Sequence, residues 1–178
     1  MAEKMTPKIT IRTPNYPSDI PAIRELFTAY AISLGIDLSF QDFEKELASL
    51  PGKYAAPNGA LLLAFLNENT DGEAVGCIAV RSLSSLSYSS ANEHLPKVCE
   101  MKRLYCTPAA RGLGTGRALA ERIIELAEKL GYDEMRLDTL PSMEGARKLY
   151  HSLGFVEIEA YYDTPLAGTI FLSKKLNR

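Results

Sequence analysis

Apolar residues recur at helical spacing in four stretches of the chain. In SDIPAIRELFTAYAISLG, Ile20, Ile23, Leu26, Phe27, Tyr30 and Leu34 fall on one face. The spacing predicts a helix capped by Ser18 or Asp19 and ended by Gly35. SFQDFEKELASLPG repeats the period with Phe40, Phe43, Leu47 and Leu50, with Ser39 as cap and Pro51-Gly52 as stop. Arg117–Leu130 carries Leu119, Ile123, Leu126 and Leu130 on one stripe, closed by Gly131. SMEGARKLYHSLGF predicts a short last helix ended by Gly154.

Between these stretches the pattern is that of strands. Thr10–Arg12 predicts a short edge strand, and Ala60–Leu66 and Ala74–Ser82 predict a hairpin across polar NENTDGE. SLSSLSYSSANEHLPK is Ser-rich without a period and predicts a surface loop. VCEMKRLYC alternates between two faces, which groups Glu100 with Val98, Lys102, Leu104 and Cys106. EMRLDTL predicts a further strand, and VEIEAYYD with GTIFLSKKL a final antiparallel pair. No shift in composition divides residues 1–178, so the order implies a single mixed α/β domain around a central strand–loop–helix–strand unit.

Composition narrows the function classes. With 178 residues, 46% hydrophobic and 24% charged, the chain is ordinary for a soluble globular protein. A formal charge of −2 gives no broad attraction to nucleic acid or to a membrane surface. No apolar run approaches the roughly 20 residues of a spanning helix, and MAEKMTPKIT lacks the apolar core of a signal peptide. Cys77, Cys99 and Cys106 have no CxxC spacing, which predicts free thiols in a reducing, cytoplasmic setting. His94 and His151 are too isolated for a metal site, and both read as ordinary surface histidines.

One stretch does not read as packing alone. TPAARGLGTGRALAERI sets Gly112, Gly114 and Gly116 directly before a helix. The first amides of a helix lack intrahelical acceptors, and the helix dipole is positive there. Glycines clear the approach of an anion to those amides, and Arg111 and Arg117 add charge that suits a pyrophosphate. The plainer alternative is a tight strand-to-helix turn. A Walker A loop fails, because Gly116 is followed by Arg117 and Ala118. A dinucleotide fingerprint fails too, since its third glycine comes one position early and antiparallel hairpins surround the unit.

The remaining pattern, Arg-x-x-Gly-x-Gly over Arg111–Gly116, resembles the central motif of the GNAT superfamily of N-acetyltransferases. EMKRLYCTPAARGLGTGRAL resembles the family's strand–loop–helix core, and ARKLYHSLGF its second conserved segment about 35 residues on. The resemblance implies one α+β domain with a mixed, mostly antiparallel sheet, helices on both faces and a cofactor core over about 98–155. It implies acetyl-coenzyme A as co-substrate, with its pyrophosphate on Arg111, Gly112, Leu113, Gly114, Thr115, Gly116 and Arg117. The backbone of Leu104, Tyr105 and Cys106 would meet the pantetheine, which inserts beside EMRLDTL. Many relatives carry an asparagine where this chain has Met143, so Ser142 or a backbone group is the expected substitute.

Acetyl transfer to an amine needs a base and an acid, because an ammonium ion with a pKa near ~10 is unreactive at neutral pH. The resemblance assigns the base to Glu100, directly or through water, and the thiolate-protonating acid to Tyr150. The structural alternatives are a Glu100–Lys102 pair and a tyrosine packed by its ring. The acceptor, a small-molecule or peptide amine, would meet Tyr30, Ser39, Phe40, Tyr54, Tyr161, Tyr162 and Asp163. No cysteine sits at an evident nucleophile position, so direct attack in a ternary complex is expected. The competing function is a non-catalytic acyl-coenzyme A-binding sensor, which would need neither base nor acid. A homodimer through the C-terminal strands is the family expectation; no metal is implied.

Overall fold

In the computed structural model of the chain, residues 7–66, 72–83 and 95–177 are described, Phe40 by its backbone only. Seven strands among these residues form one sheet: β1 (Ile9–Arg12), β2 (Ala60–Leu66), β3 (Gly76–Ser82), β4 (Val98–Cys106), β5 (Glu134–Thr139), β6 (Val156–Ile158) and β7 (Ile170–Lys175). Their order is β1-β2-β3-β4-β5-β7-β6. Only β4 and β5 pair in parallel among the described residues, because the loop and helix between them form a crossover. Among the described residues four helices flank the sheet: α1 (Ile20–Leu34), α2 (Phe43–Ser49), α3 (Thr115–Lys129) and α4 (Glu144–Ser152). The strand–helix order is the one expected, as is the β2–β3 pairing, with Ala60 opposite Val80. His94, most of the Ser-rich stretch and the start of the chain lie outside the described residues.

Alternation along the strands sorts the core into two layers. Leu62, Ala64, Ile78 and Val80 pack with Leu119, Ile123 and Ala127 of α3. Leu61, Leu63, Phe65, Cys77 and Ala79 pack with Ile23, Leu26 and Phe27 of α1. The sheet is thus covered on both faces.

Three local expectations need correction. Asp19 stands at the start of α1 but makes no side-chain cap. Its carboxylate accepts from Arg12 at 2.6 Å and from the Asn15 amide at 2.6 Å, tying the end of β1 to the helix. The second helix is broken: Ser39–Gln41 forms a 3-10 turn, Asp42 takes φ +54, and α2 restarts at Phe43. Asp37 accepts from both the amide and the hydroxyl of Ser39 at 2.8 Å, so Ser39 closes a local turn instead of capping a continuous helix.

The third correction matters most for function. Arg103 sits at φ +60, and the β3–β4 register slips between the pairs Cys77–Tyr105 and Ala79–Lys102. This is a β-bulge, and it reverses which residues face which layer. Cys99 and Met101 pack toward α3 before it; Leu104 and Cys106 do so after it, while Tyr105 turns toward α1. Glu100 and Lys102 therefore do not share a face with Leu104 and Cys106. A non-glycine residue in this conformation costs about 1–2 kcal/mol, which the surrounding contacts must offset.

Candidate active site

The parallel ladder between β4 and β5 is short, running from Val98 opposite Glu134 to Glu100 opposite Arg136. Past that point the ladder ends and leaves a narrow gap between the strands, continuous with solvent. Met101, Lys102, Arg103 and Leu104 line it from β4, Leu137, Asp138 and Thr139 from β5. Tyr30 and Gln41 close one side; Met143 and Tyr150 close the other. Unpaired strand edges facing each other across a slot suit an extended ligand that carries amide groups.

The glycine loop stands at the end of β4. Gly112 and Gly114 have φ +73 and +80, and a Cβ at either would meet no atom within 4 Å. Glycine is demanded there by backbone conformation, and the space outside it is open. A Cβ at Gly116 would touch Cys106 Sγ and Leu149 at ordinary distances of 3.8 and 3.9 Å. Thr115 opens α3 with its buried hydroxyl donating to the Ala110 carbonyl at 3.0 Å, so only its amide is left for a ligand. Arg111 donates through Nε to the Cys106 carbonyl at 3.2 Å, which leaves its other nitrogens beside the loop. Arg117 is half-exposed and bonded to Ser152 at 2.6 Å and Glu121 at 3.3 Å. The part-buried Leu113 completes the turn.

Glu100 is fully buried and does not pair with Lys102 by contact. Its Oε2 accepts from Arg81 Nε at 2.7 Å and its Oε1 from the Tyr161 hydroxyl at 2.8 Å. Burial opposes its ionisation, but the Lys102 and Arg81 charges and these two hydrogen bonds outweigh burial and hold the carboxyl below its ordinary range. Glu100 is therefore a carboxylate with each oxygen engaged. Tyr161 packs against Tyr162 and Phe171 with ring centroids 5.5 and 5.1 Å away, which fixes its hydroxyl over β4.

Tyr150 lies on α4 with its ring edge-on to Phe155 at 5.9 Å and its side chain on the gap. Burial, with Tyr30 and Asp138 adding to it, pushes the phenol far above its usual pKa, so it keeps its proton. Met143, just before α4, lines the gap itself and takes a weak hydrogen bond from Thr139 at 3.7 Å; Ser142 beside it is exposed. The adjacent His151 turns away and lies 3.3 Å from the Phe155 carbonyl. Cys106 is half-buried, its thiol pushed up to about 11 by burial despite Arg111.

On the α1 side a buried ionic network meets the gap. Glu46 accepts from Arg103 at 2.8 Å and Tyr54 at 2.8 Å, and pairs with Lys53 at 2.7 Å. Burial resists the charge on Glu46, yet Arg103 and Lys53 bring its carboxyl down to about 2. Arg103 lies over the rings of Phe43 and Tyr30, at 5.3 and 5.7 Å. Lys102 stands 3.8 Å from Asp138. Tyr54, expected to meet the acceptor, is 1% exposed and belongs to this network. Tyr30 lines the gap, its phenol pushed up to about 12 mainly by burial, whereas Ser39 and Asp163 are on the surface.

The residues that sequence reasoning missed here are Gln41, Glu46, Arg81 and Arg103. Arg81 and Arg103 meet Glu100, Glu46 and Gln41 across 19 to 62 positions, and Lys53 and Tyr54 reach Glu46 from beyond the end of α2, so helix or strand spacing does not reveal them. The only signal was an excess of charge, Glu100, Lys102 and Arg103, within a strand bordered by apolar residues.

Comparison with known proteins agrees with this geometry. The acetyltransferase (GNAT) family matches residues 20–155. A Schizosaccharomyces pombe protein named an uncharacterised N-acetyltransferase is 36% identical over 170 residues, covering 96% of each chain. A Staphylococcus aureus acetyltransferase of the GNAT family superposes with a TM-score of 0.71 at 21% identity, covering 96% of this chain and 100% of that one. A Salmonella typhimurium acetyltransferase structure with its cofactor acetyl-CoA gives a TM-score of 0.67 at 20% identity, covering 95% and 94%. The slot between β4 and β5, the glycine turn that opens α3 and these relationships lead to one conclusion: the chain belongs to the GNAT family of acetyl-CoA-dependent acetyltransferases.

Proposed function

We propose that the chain transfers the acetyl group of acetyl-coenzyme A to the primary amine of a small molecule or peptide, by direct attack in a ternary complex. The observation that carries this reading is the β4–β5 gap, lined by residues of both strands, by Met143 and Tyr150, and by Tyr30 and Gln41. The residues fit the cofactor: free amides at the start of α3 and Arg111 suit a pyrophosphate, and the open edges of Leu104, Tyr105 and Cys106 suit pantetheine amides. The Salmonella neighbour, whose structure contains acetyl-CoA, supports the choice of cofactor. When bound, the cofactor supplies an activated thioester.

Tyr150 holds its proton at the phenolic oxygen on the gap wall and gives it to the departing sulfur. Glu100 is the final proton acceptor. Because both of its oxygens are occupied, the proton of the amine reaches it by relay. Tyr161 passes its own proton to Oε1 while taking one from the amine or from an intervening water. Free thiols at Cys77, Cys99 and Cys106 support a reducing, cytoplasmic setting.

The test is a panel of amines incubated with the protein and acetyl-coenzyme A, read by release of free thiol. At least one primary amine is expected to be consumed. If acetyl-coenzyme A raises the thermal midpoint but no amine releases thiol, the catalytic reading fails and an acyl-coenzyme A-binding domain replaces it.

A further inference from the structure

The acceptor's chemistry is written in Arg103, on the reading just given. The bulge brings two consecutive cations to one place: Lys102 Nζ and Arg103 Nη1 both donate to Gln41 Oε1, at 3.5 and 3.0 Å. Arg103 Nε is bound to Glu46. Its Nη2 is buried without a hydrogen-bond partner, on a residue only 3% exposed. Buried polar groups are rarely left unpaired, and an arginine fork presents parallel donors suited to a carboxylate. Arg103, Gln41 and Tyr30 together form the wall of the gap on the α1 side.

The charges point the same way. Lys53, Arg81, Lys102 and Arg103 face Glu46, Glu100 and Asp138, so the network holds one cation more than it holds carboxylates. Burial draws the Lys102 pKa down against the pull of Glu100 and Asp138, with smaller lowering from Arg103 and Arg81. A single anion would fill the empty donor and balance the charge. We propose that Arg103 Nη2 seats a carboxylate of the acceptor, so the amine acetylated belongs to an amino acid or related aminocarboxylate.

The experiment compares matched acceptors on the full chain: the common amino acids, their primary amides and the corresponding amines without the carboxyl group. At least one amino acid is expected to exceed its amide in kcat/KM by roughly tenfold or more. It is also expected to raise the thermal midpoint, where its amide does not. In Arg103→Lys, which keeps the charge but loses the fork, that preference should fall to within about threefold while KM for acetyl-coenzyme A is unchanged. If that variant does not fold, the acceptor comparison alone decides. Amides or plain amines used as well as amino acids overturn the carboxylate seat and leave acetyl transfer standing. A midpoint raised by amino acids without any turnover supports the seat while the transferase reading fails. Neither turnover nor a midpoint shift with any amino acid overturns the seat.

Discussion

Tyr161 donates its phenolic hydrogen to Glu100 Oε1 at 2.8 Å, which joins the segment between β6 and β7 to the middle of β4. The bond does two things. It completes the buried carboxylate's coordination, and it helps hold that carboxyl below its ordinary pKa. Removing it separates a working base from a merely structural carboxylate.

In Tyr161→Phe the ring still packs against Tyr162 and Phe171, but Glu100 loses a donor that favours its charged form. The carboxyl pKa must rise, so the acid limb of the kcat/KM profile is expected to move to higher pH. Loss of the relay lowers kcat by roughly 100-fold. A profile and a kcat both unchanged would remove Glu100 and Tyr161 from the proton path.

How much of this was legible in the sequence differs from residue to residue. The bounds of α1 and β4 follow from local pattern, because the apolar stripe ending at Gly35 and the run from Val98 to Cys106 need no partner to define them. The glycine turn was legible for the same reason, since φ at Gly112 and Gly114 is a property of the backbone itself. The bulge at Arg103 was not. Strict alternation sends consecutive residues to opposite faces, and nothing in VCEMKRLYC marks the slip. Glu46 likewise reads as the polar face of a short helix. It is buried only because the fold brings Arg103, Lys53 and Tyr54 around it. Ion-pair networks are a product of topology, so the base's surroundings and the acceptor wall emerge only in three dimensions.

Tyr150→Phe keeps the edge-on contact with Phe155 and removes only the hydroxyl. Turnover is expected to fall by about 10²–10⁴-fold. The midpoint rise given by acetyl-coenzyme A should remain. Turnover equal to that of the unaltered protein would reject the acid role.

Gly114→Glu places bulk and negative charge where the pyrophosphate is expected, at a position with φ +80. Gly114→Ala imposes the same backbone strain without the charge. At about a hundredfold excess over Kd, acetyl-coenzyme A should raise the midpoint of the unaltered protein by about 5–10 °C. The alanine variant is expected to retain much of that rise and the glutamate variant none of it. Equal rises in all three would move the pyrophosphate away from this loop.

Glu46 gives the sharpest pH signature. Its carboxyl stands at about 2 in the folded chain against an ordinary 4.5, so folding stabilises the charged form. That contribution is complete above about pH 4.5 and is lost as pH falls toward 2. Glu46→Gln leaves Arg103 and Lys53 without their shared carboxylate, and is expected to cost about 3 kcal/mol at pH 7. Denaturant unfolding of both proteins between pH 7 and pH 2.5 checks this. The other depressed carboxyls, Glu100, Glu134 and Asp19 among them, titrate in both proteins and cancel in the difference. The stability gap between the two proteins should therefore narrow on acidification, with most of the change below pH 4.5. A gap that stays constant across the range would show that Glu46 holds Arg103 through packing and neutral hydrogen bonds alone, and the charge balance on the acceptor wall would need to be redrawn.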